Sequence, residues 1–483
     1  MLFMGLDVGT QGVRCVVADE KGQVRAAQSV AFQALNAAEH PGWYEQRPGD
    51  WAAAMEQAVG SCMAKLKAEG VEAGEVAAIS IDGTSGTIVP LDKANRPLSN
   101  ALMYNDPRAG AQAKETQKVM AAHQAKLGLR FGASFSLPRI LWIGDNWPDI
   151  YEKTALFAHQ ADYVAGLLCG EYRVSDYSNA LKTGYDLLDE RWPDQVAQLG
   201  LDVGKLPRIV RPGEPIARVS QAAAEKLGLS TGTWVSGGST DGYASALAAG
   251  AVSAGQWASI IGTTFVLKGV TRELVIDPDG SSYSHRLPSG EWMLGGAANI
   301  GGRCLNAYAG DRADFAQLDR QARELVPTGA RCYPLTGKGE RFPFVDPQAQ
   351  AFYRGDILGG KLYPALMEGV GFAERLAFDK MAALGCPVGD VINAAGGACR
   401  SQLWLEIRSS ILNRQLAVPR VVDAAMGSAL LAAAPHFGSL AAAAQAMIAY
   451  DKRVDPRPQW AAAYQDIYQA FVRDAAKLYK MEG

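Results

Sequence analysis

Two glycine-threonine turns, far apart in the chain, have the residue types that bind phosphate. An apolar strand containing Asp7 leads into Gly9-Thr10, and a similar strand leads into Gly262-Thr263. Backbone N–H groups and a hydroxyl suit an anion, and glycine lets the backbone approach it closely. Aligning the turns places Ile260 opposite Asp7, so only the first turn carries a carboxylate that suits a magnesium ion. The pair predicts a duplicated phosphotransferase that clamps a polyphosphate from both sides; two ordinary hairpins are the alternative.

Asp241 has the position expected of a general base. It follows an apolar strand and the small residues 237–240, and it opens an alanine-rich helix. A helix N-terminus favours the ionised form of a carboxylate, and phosphoryl transfer needs a carboxylate to accept the proton of the acceptor hydroxyl. The alternative is that Asp241 only caps the helix.

A second glycine turn, Gly396-Gly397-Ala398, follows the predicted strand 391–395 and precedes the predicted helix 401–412. A strand, a glycine turn and a helix N-terminus together can bind an anion or the sugar of a nucleotide. Tight packing of the turn on the helix is the alternative interpretation.

Composition favours small solutes as partners. The 483 residues are 48% hydrophobic and 20% charged with a formal net charge of -3, which gives no electrostatic footprint for nucleic acid or an anionic membrane. Seven scattered cysteines without a Cys-x-x-Cys pair indicate reduced thiols in a cytoplasmic protein, and the five histidines have no metal-ligand spacing. No secretory signal or stretch of eighteen apolar residues occurs.

Strands and helices alternate, which predicts an α/β protein with two domains, 1–250 and 251–483. The predicted helices include 51–68 with Asp50 as its N-cap, 162–168 ending at Gly170, and 363–384. The predicted strands 75–80 and 87–91 flank a turn that begins at Asp82.

Several further segments resemble the FGGY family of carbohydrate kinases. In order along the chain, these segments are Gly5 to Thr10, Gly42 to Gln46 with Trp51, Asn105 to Arg108, Ser134 to Asn146, Ser175 to Ala180, Gly238 to Gly250, Gly262 to Thr264, Gly339 to Pro343, Glu368-Gly369, Gly396 to Ala398, and Met426 to Ala429. Arg139 stands where the family usually has lysine. The resemblance implies the duplicated ribonuclease-H-like fold of actin, hexokinase and the Hsp70 ATPase domain, with two domains around a central cleft.

The resemblance also implies ATP and Mg²⁺ as cofactors and assigns roles to residues. Asp241 would be the catalytic base and would contact the sugar, and Asp7 and Asp241 would lie at the magnesium ion. The residues facing the phosphates would be Thr10, Gln11, Gly262, Thr263 and Thr264. The residues bordering the adenosine would be Gly396, Gly397 and Ala398. Asp106 and Arg108 lie where family members reach the sugar; a surface turn with a local ion pair is the alternative.

The turn after the strand at 76–81 bears on the choice of sugar. In xylulose kinases this turn reads Gly-Gln-Met-His-Gly, and the Met-His pair packs against the ketopentose. Here it reads Gly83-Thr84-Ser85-Gly86-Thr87, so two large side chains are missing and Thr84 and Ser85 offer hydroxyls instead. The stretch is similar to the D-ribulose kinases of the family and predicts phosphorylation of the C5 hydroxyl of D-ribulose; D-xylulose or another polyol is the alternative.

Two other function classes are considered. An actin-like or Hsp70-like ATP sensor would share the duplicated hairpins but would lack a sugar side around Asp106 and Asp241. A nucleotide-dependent oxidoreductase is disfavoured, because residues 5–12 do not read Gly-x-Gly-x-x-Gly. The sequence leaves a homodimer open.

Overall fold

The computed structural model describes residues 1–310 and 313–479, which form two compact units. Of these residues, the first unit contains 1–248, 285–290 and 421–448, and the second contains 249–284, 291–310, 313–420 and 449–479. The domain division 1–250 and 251–483 stays a prediction, since it concerns consecutive domains and the units are groupings by packing.

The strands, in chain order, are β1 (Leu2–Val8), β2 (Gly12–Asp19), β3 (Val24–Ala31), β4 (Glu45–Gln46), β5 (Val76–Gly83), β6 (Ile88–Leu91), β7 (Ala101–Leu102), β8 (Leu156–His159), β9 (Val174–Asp176), β10 (Arg208–Val210), β11 (Pro215–Arg218), β12 (Trp234–Thr240), β13 (Trp257–Ile261), β14 (Phe265–Thr271), β15 (Tyr283–Arg286), β16 (Trp292–Ala297), β17 (Arg331–Tyr333), β18 (Phe352–Arg354), β19 (Val391–Ala395), β20 (Gln415–Pro419) and β21 (Tyr450–Val454).

The α-helices are α1 (Pro48–Ala68), α2 (Gly110–Val119), α3 (Ala121–Leu127), α4 (Ser136–Asn146), α5 (Pro148–Lys153), α6 (Gln160–Cys169), α7 (Tyr177–Leu181), α8 (Asp194–Gln198), α9 (Gln221–Leu227), α10 (Asp241–Ala248), α11 (Arg303–Ala309), α12 (Phe315–Ala322), α13 (Leu362–Ala383), α14 (Gln402–Leu412), α15 (Ala424–Phe437), α16 (Leu440–Met447) and α17 (Pro458–Tyr479). None of the helices in the described ranges combines the length and apolarity that a bilayer span requires.

The main sheet of the first unit has the order β11-β12-β5-β1-β2-β3. β1, β2 and β3 form an antiparallel meander, β5 pairs in parallel with β1, and β12 pairs in parallel with β5. The parallel strands are almost wholly buried, as expected for a sheet covered on both faces. Helix α15 lies so close to β1 that a Cβ on Gly5 would be 1.7 Å from the carbonyl oxygen of Ala425, so only glycine fits there.

The sheet of the second unit has the order β15-β16-β14-β13-β19-β20-β21. β13, β14 and β16 again form an antiparallel meander, β19 pairs in parallel with β13, and β20 pairs in parallel with β19. The second unit therefore repeats the strand pattern of the first. The predicted α/β class and the duplication are confirmed.

Two local predictions are wrong. Asp50 does not cap α1, which begins at Pro48 with Arg47 as N-cap, because proline's fixed φ suits the first helical turn. The turn does not begin at Asp82, because β5 pairs with strands on both sides and continues to Gly83. Asp82 is therefore a strand residue.

Candidate active site

Three aspartates meet at the carboxyl ends of the central parallel strands of the first unit. Asp7 on β1 is in register with Asp82 on β5, and Ser239 and Thr240 on β12 are in register with Asp82 and Gly83. Asp241 follows directly as the first residue of α10. Because these ends lie at one edge of the sheet, the three carboxyl groups influence one another's ionisation.

Burial favours the protonated form of all three carboxyl groups, and repulsion from neighbouring carboxylates adds to this effect for Asp7 and Asp82. Burial, and then the charge of Asp241, raise the pKa of Asp7 to about 7. Burial, and then the charge of Asp7, raise the pKa of Asp82 well above its ordinary value. Burial also raises the pKa of Asp241, although the N–H of Gly242 donates to its Oδ1 at 2.7 Å. The prediction that the helix N-terminus favours the ionised form of Asp241 describes one of two opposing effects. Desolvation is the larger effect, so the net pKa of Asp241 is raised.

The donor set at these strand ends suits a hard cation. Asp82 Oδ2 accepts a hydrogen bond from Ser428 Oγ at 2.6 Å, whereas Asp82 Oδ1 is buried and has no hydrogen-bond donor among the described residues. Within residues 1–310 and 313–479, no three His, Cys, Asp or Glu side chains are grouped as metal ligands. Mg²⁺ commonly takes only one or two carboxylates and completes its shell with water and phosphate oxygens. Carboxylates at this sheet edge are therefore of the ligand type that suits this cation, and the assignment of Asp7 and Asp241 to it stays a prediction.

Two side chains of the segment 42–51 support the first glycine-threonine turn. Gly9 N–H donates to the Gly12 carbonyl at 3.0 Å, and the side chain of Gln46 donates to the Thr10 carbonyl at 2.8 Å. Gln46 is itself oriented by the indole N–H of Trp51, which donates to its Oε1 at 2.8 Å. These contacts leave Gln11 exposed and Thr10 half-buried at the tip of the turn.

In the second unit, the turn at 262–264 and the turn at 396–398 lie against each other. Gly396 has φ +88°, and a Cβ there would be 2.4 Å from the Ile261 carbonyl oxygen. Gly302 N–H donates to the Gly262 carbonyl at 2.8 Å and Arg303 N–H to the Thr263 carbonyl at 3.2 Å, which fixes the first of these turns. Ser401 caps α14 by accepting from Trp404 N–H at 2.9 Å. The predicted phosphate and adenosine residues of this unit are thus neighbours at one end of its sheet.

Thr84 and Ser85 differ in how their hydroxyls are used. Thr84 Oγ1 donates to Gln160 Oε1 at 2.7 Å and lies 2.6 Å from Thr87 Oγ1. Ser85 Oγ is buried and has no hydrogen-bond partner among the described residues. Of the two hydroxyls, only that of Ser85 is thus left without a partner within residues 1–310 and 313–479, and the role of both residues in sugar binding stays a prediction.

Asp106 and Arg108 form a buried ion pair. Arg108 Nε donates to Asp106 Oδ1 at 2.8 Å, Nη2 donates to Oδ2 at 2.6 Å, and the two side chains are 2% and 0% exposed. Arg108 also donates to Glu45 and stacks 3.8 Å from the Trp43 ring. Burial alone would raise the pKa of Asp106, but hydrogen bonds from Arg108 and Tyr44 outweigh it and lower the pKa. The local ion pair of the alternative interpretation is therefore present, with its two side chains buried. The role of both residues in sugar binding stays a prediction, and so does the alternative of a surface turn with a local ion pair.

Comparison with known proteins decides the family. The model of the N-terminal domain of the FGGY carbohydrate kinases matches residues 2–248, and the model of the C-terminal domain matches residues 257–435. The chain belongs to the FGGY family of carbohydrate kinases. Its enzyme class is therefore that of an ATP-dependent phosphotransferase with a sugar as acceptor, and this prediction is confirmed.

Similar proteins of this family align with almost the whole chain. A xylulose kinase from Bacillus subtilis is 26% identical over 99% of this chain and 92% of its own length, and one from Streptomyces rubiginosus is 28% identical over 100% and 95%. The crystal structure of a xylulose kinase from Rhodospirillum rubrum superposes with a TM-score of 0.88 at 26% identity, covering 99% of each chain. The two-domain FGGY fold is confirmed. Because the chain belongs to a kinase family, the alternative of an actin-like or Hsp70-like ATP sensor is excluded.

Sequence reasoning missed three residues of the candidate active site of this kinase. Asp82 was assigned to a turn, although an aspartate at the end of a predicted buried strand was the signal that could have found it. Gln160 and Arg139 contact the turn at 84–87 from positions 76 and 53 residues away. No local pattern marks such contacts, except that Arg139 departs from the family's usual lysine.

Proposed function

We propose that this kinase transfers the γ-phosphate of ATP to the primary C5 hydroxyl of a ketopentose and favours D-ribulose over D-xylulose. The choice of sugar depends on the state of the Ser85 hydroxyl. Its hydroxyl is buried and without a partner among the described residues, in a turn where Ser85 and Gly86 replace a large Met-His pair. A site that hydrogen-bonds particular hydroxyls rejects epimers, because its polar groups are then left unpaired.

Asp241 is the proposed general base. The C5 oxygen attacks the γ-phosphorus, its proton passes to the Asp241 carboxylate, and the bond from the γ-phosphorus to the β–γ bridging oxygen breaks to release ADP. Burial raises the pKa of Asp241, which makes its carboxylate a better proton acceptor than an exposed aspartate.

Asp7 and Asp241 are the proposed holders of Mg²⁺, with Asp82 beside them. When bound, this ion neutralises charge on the phosphate oxygens. Asp7 has its pKa raised to about 7 by burial and by Asp241, so a nearby cation would favour its ionised form. Asp7 thus contributes a carboxylate whose charge is otherwise costly.

The remaining predicted residues bind the donor and support the sugar. Phosphate contacts are assigned to Thr10, Gln11, Gly262, Thr263 and Thr264. Adenosine contacts are assigned to Gly396, Gly397 and Ala398. Asp106 and Arg108 support the sugar side together with Thr84, and Arg108 Nη1 is a buried donor without a partner in the described part of the chain.

D-xylulose is the second candidate substrate. The observation that favours it is the similarity of the chain to the xylulose kinases from Bacillus subtilis and Streptomyces rubiginosus. Sequence identity below 30% leaves room for a different sugar in a pocket whose wall is built differently.

The deciding experiment compares kcat/KM for D-ribulose and D-xylulose by ADP release at fixed ATP and Mg²⁺. Glycerol, gluconate and a hexulose extend the panel, and ATP without sugar measures background hydrolysis. We expect a D-ribulose to D-xylulose ratio above one. A ratio at or below one overturns the choice of sugar, and the sugar kinase assignment is unaffected by it.

A further inference from the structure

The turn at 84–87 is anchored at both ends by side chains that belong to other elements. At its start, Gln160 Oε1 accepts from Thr84 N–H at 2.9 Å and from Thr84 Oγ1 at 2.7 Å. At its end, Arg139 Nη1 donates to the Gly86 carbonyl at 2.9 Å. Gly86 has φ +93°, and a Cβ there would lie 2.4 Å from the Ser134 carbonyl oxygen, so the turn is packed against the segment that precedes α4. The backbone around Ser85 therefore has little freedom.

Arg139 also joins this turn to the loop that carries Asp106. Its Nη2 donates to the carbonyl of Tyr104 at 2.5 Å and lies 3.4 Å from that of Asp106. A planar guanidinium can reach both loops at once, because its donors point in fixed, diverging directions. Thr87 Oγ1 adds a direct link by accepting from Tyr104 N–H at 3.3 Å. Arg139 thus connects the two loops that are proposed to line the sugar side.

Burying the charged guanidinium of Arg139 costs desolvation free energy, which indicates a specific role for this residue. Arg139 is 0% exposed, and burial lowers its pKa to about 9, with the Asp106 carboxylate opposing the shift. The group therefore remains charged at neutral pH while fully buried, where a charge is tolerated only when it is well hydrogen-bonded. Its partners include four backbone carbonyls of the loops and of α4's N-terminal region.

We propose that Arg139 is a positioning residue for sugar recognition: it holds the 84–87 turn and the 104–108 loop in register, so that Ser85 Oγ meets a hydroxyl of the acceptor sugar. This inference rests on the proposed function of the site. Arg139 does not touch the sugar, and its effect is carried through Gly86 to Ser85. Gln160 supports the opposite end of the same turn.

The test measures KM for the sugar, KM for ATP and kcat in Arg139→Met and Arg139→Lys, with whichever sugar the unaltered enzyme phosphorylates. We expect Arg139→Met to raise the sugar KM by roughly tenfold or more, because Ser85 loses its fixed position, while the ATP KM stays within about twofold. Arg139→Lys should show a smaller rise, since an ammonium lacks the fork that reaches both loops.

A matched control is Arg408→Lys in the second unit. Arg408 is equally buried and pairs with Glu374 at 2.8 Å, so its loss tests the general cost of altering a buried arginine. We expect a lower melting temperature and an unchanged sugar KM. If Arg139→Met does not fold, Arg139→Lys and Gln160→Leu carry the same comparison.

A double-mutant cycle separates positioning from mere stabilisation. Ser85→Ala should raise the sugar KM in the unaltered enzyme but add little in Arg139→Met, because the serine is already displaced. Fully additive effects, or an unchanged sugar KM in folded Arg139→Met, overturn the positioning role. A preference for another sugar overturns only the proposed substrate, since the cycle is run with the sugar that is turned over.

Discussion

The two units repeat one strand pattern but end their central strands in different chemistry. In the first unit, β1 and β5 carry Asp7 and Asp82, and Asp241 follows β12. In the second unit, the matching position on β13 is Ile260, and β19 runs from Ala395 into Gly396 without a carboxylate. The two units therefore share the layout of the turn, and only the first unit has aspartates at these strand ends.

This difference has a physical reason. Buried carboxylates at one sheet edge repel each other and lose solvation, which raises their pKa values, and strongly perturbed pKa values are typical of functional sites. Other buried carboxyls of both units lie in hydrogen-bond networks with cationic or polar partners, as Asp106 does in the first unit. Glu374, for example, accepts two hydrogen bonds from Arg408 and one from Ser259. We infer that the first unit supplies the proton transfer and the second mainly binds nucleotide.

The strongest test of this division is Asp241→Asn in the first unit. Removing the general base should lower kcat by about 10²–10⁴-fold, or roughly 2.7–5.4 kcal/mol of transition-state stabilisation, with little change in ATP affinity. Steady-state kinetics and ATP titration measure both quantities. The control is Asp314→Asn, which alters an aspartate that caps α12 in the second unit and should leave kcat near its original value. A near-normal kcat in Asp241→Asn would reduce that residue to a helix cap.

A buried carboxyl of the second unit should affect stability, in a pH-dependent way. Burial raises the pKa of Glu368 to about 7, although Thr328 and Tyr464 donate hydrogen bonds to it. The folded state therefore holds this proton more tightly than the unfolded state, so the stabilisation is full below the ordinary pKa and is lost as pH rises to about 7. The loss amounts to at most about 3 kcal/mol.

Glu368→Gln removes the titration and keeps the side-chain shape. The free energy of unfolding, from urea titrations between pH 4.5 and 8, should fall with rising pH more steeply in the unaltered protein than in the variant. Glu406→Gln is the control, because hydrogen bonds from Arg323 and Gln402 outweigh burial and lower the pKa of Glu406. Parallel pH profiles for the protein and Glu368→Gln would show that folding does not raise the pKa of Glu368.

The sequence predicts single strands and helices better than it predicts the strand ends where Asp7, Asp82 and Asp241 meet. The strand 391–395 of the second unit is found with those bounds, and the helix predicted at 162–168 of the first unit ends at Gly170, because hydrophobic patterns and glycine stops are local signals. Asp82-Gly83 has the composition of a turn, yet pairing with β1 and β12 keeps it extended. The contacts of Arg139 and Gln160 depend on how distant elements pack, which one sequence does not encode in any short pattern.

The smallest expected effects concern the paired turns, where the two units are most alike. If Thr10 and Thr263 both meet the phosphates, Thr10→Val and Thr263→Val should each raise the ATP KM by roughly 2–10-fold, the cost of about one hydrogen bond, and leave the sugar KM unchanged. Thr231→Val is the control, since Thr231 is exposed and precedes a glycine in a turn outside the site. Equal effects would mean that duplication preserved the phosphate role in both turns while only one gained or kept a carboxylate. An effect confined to one threonine would show that the turns, like the strand ends beside them, have diverged in function.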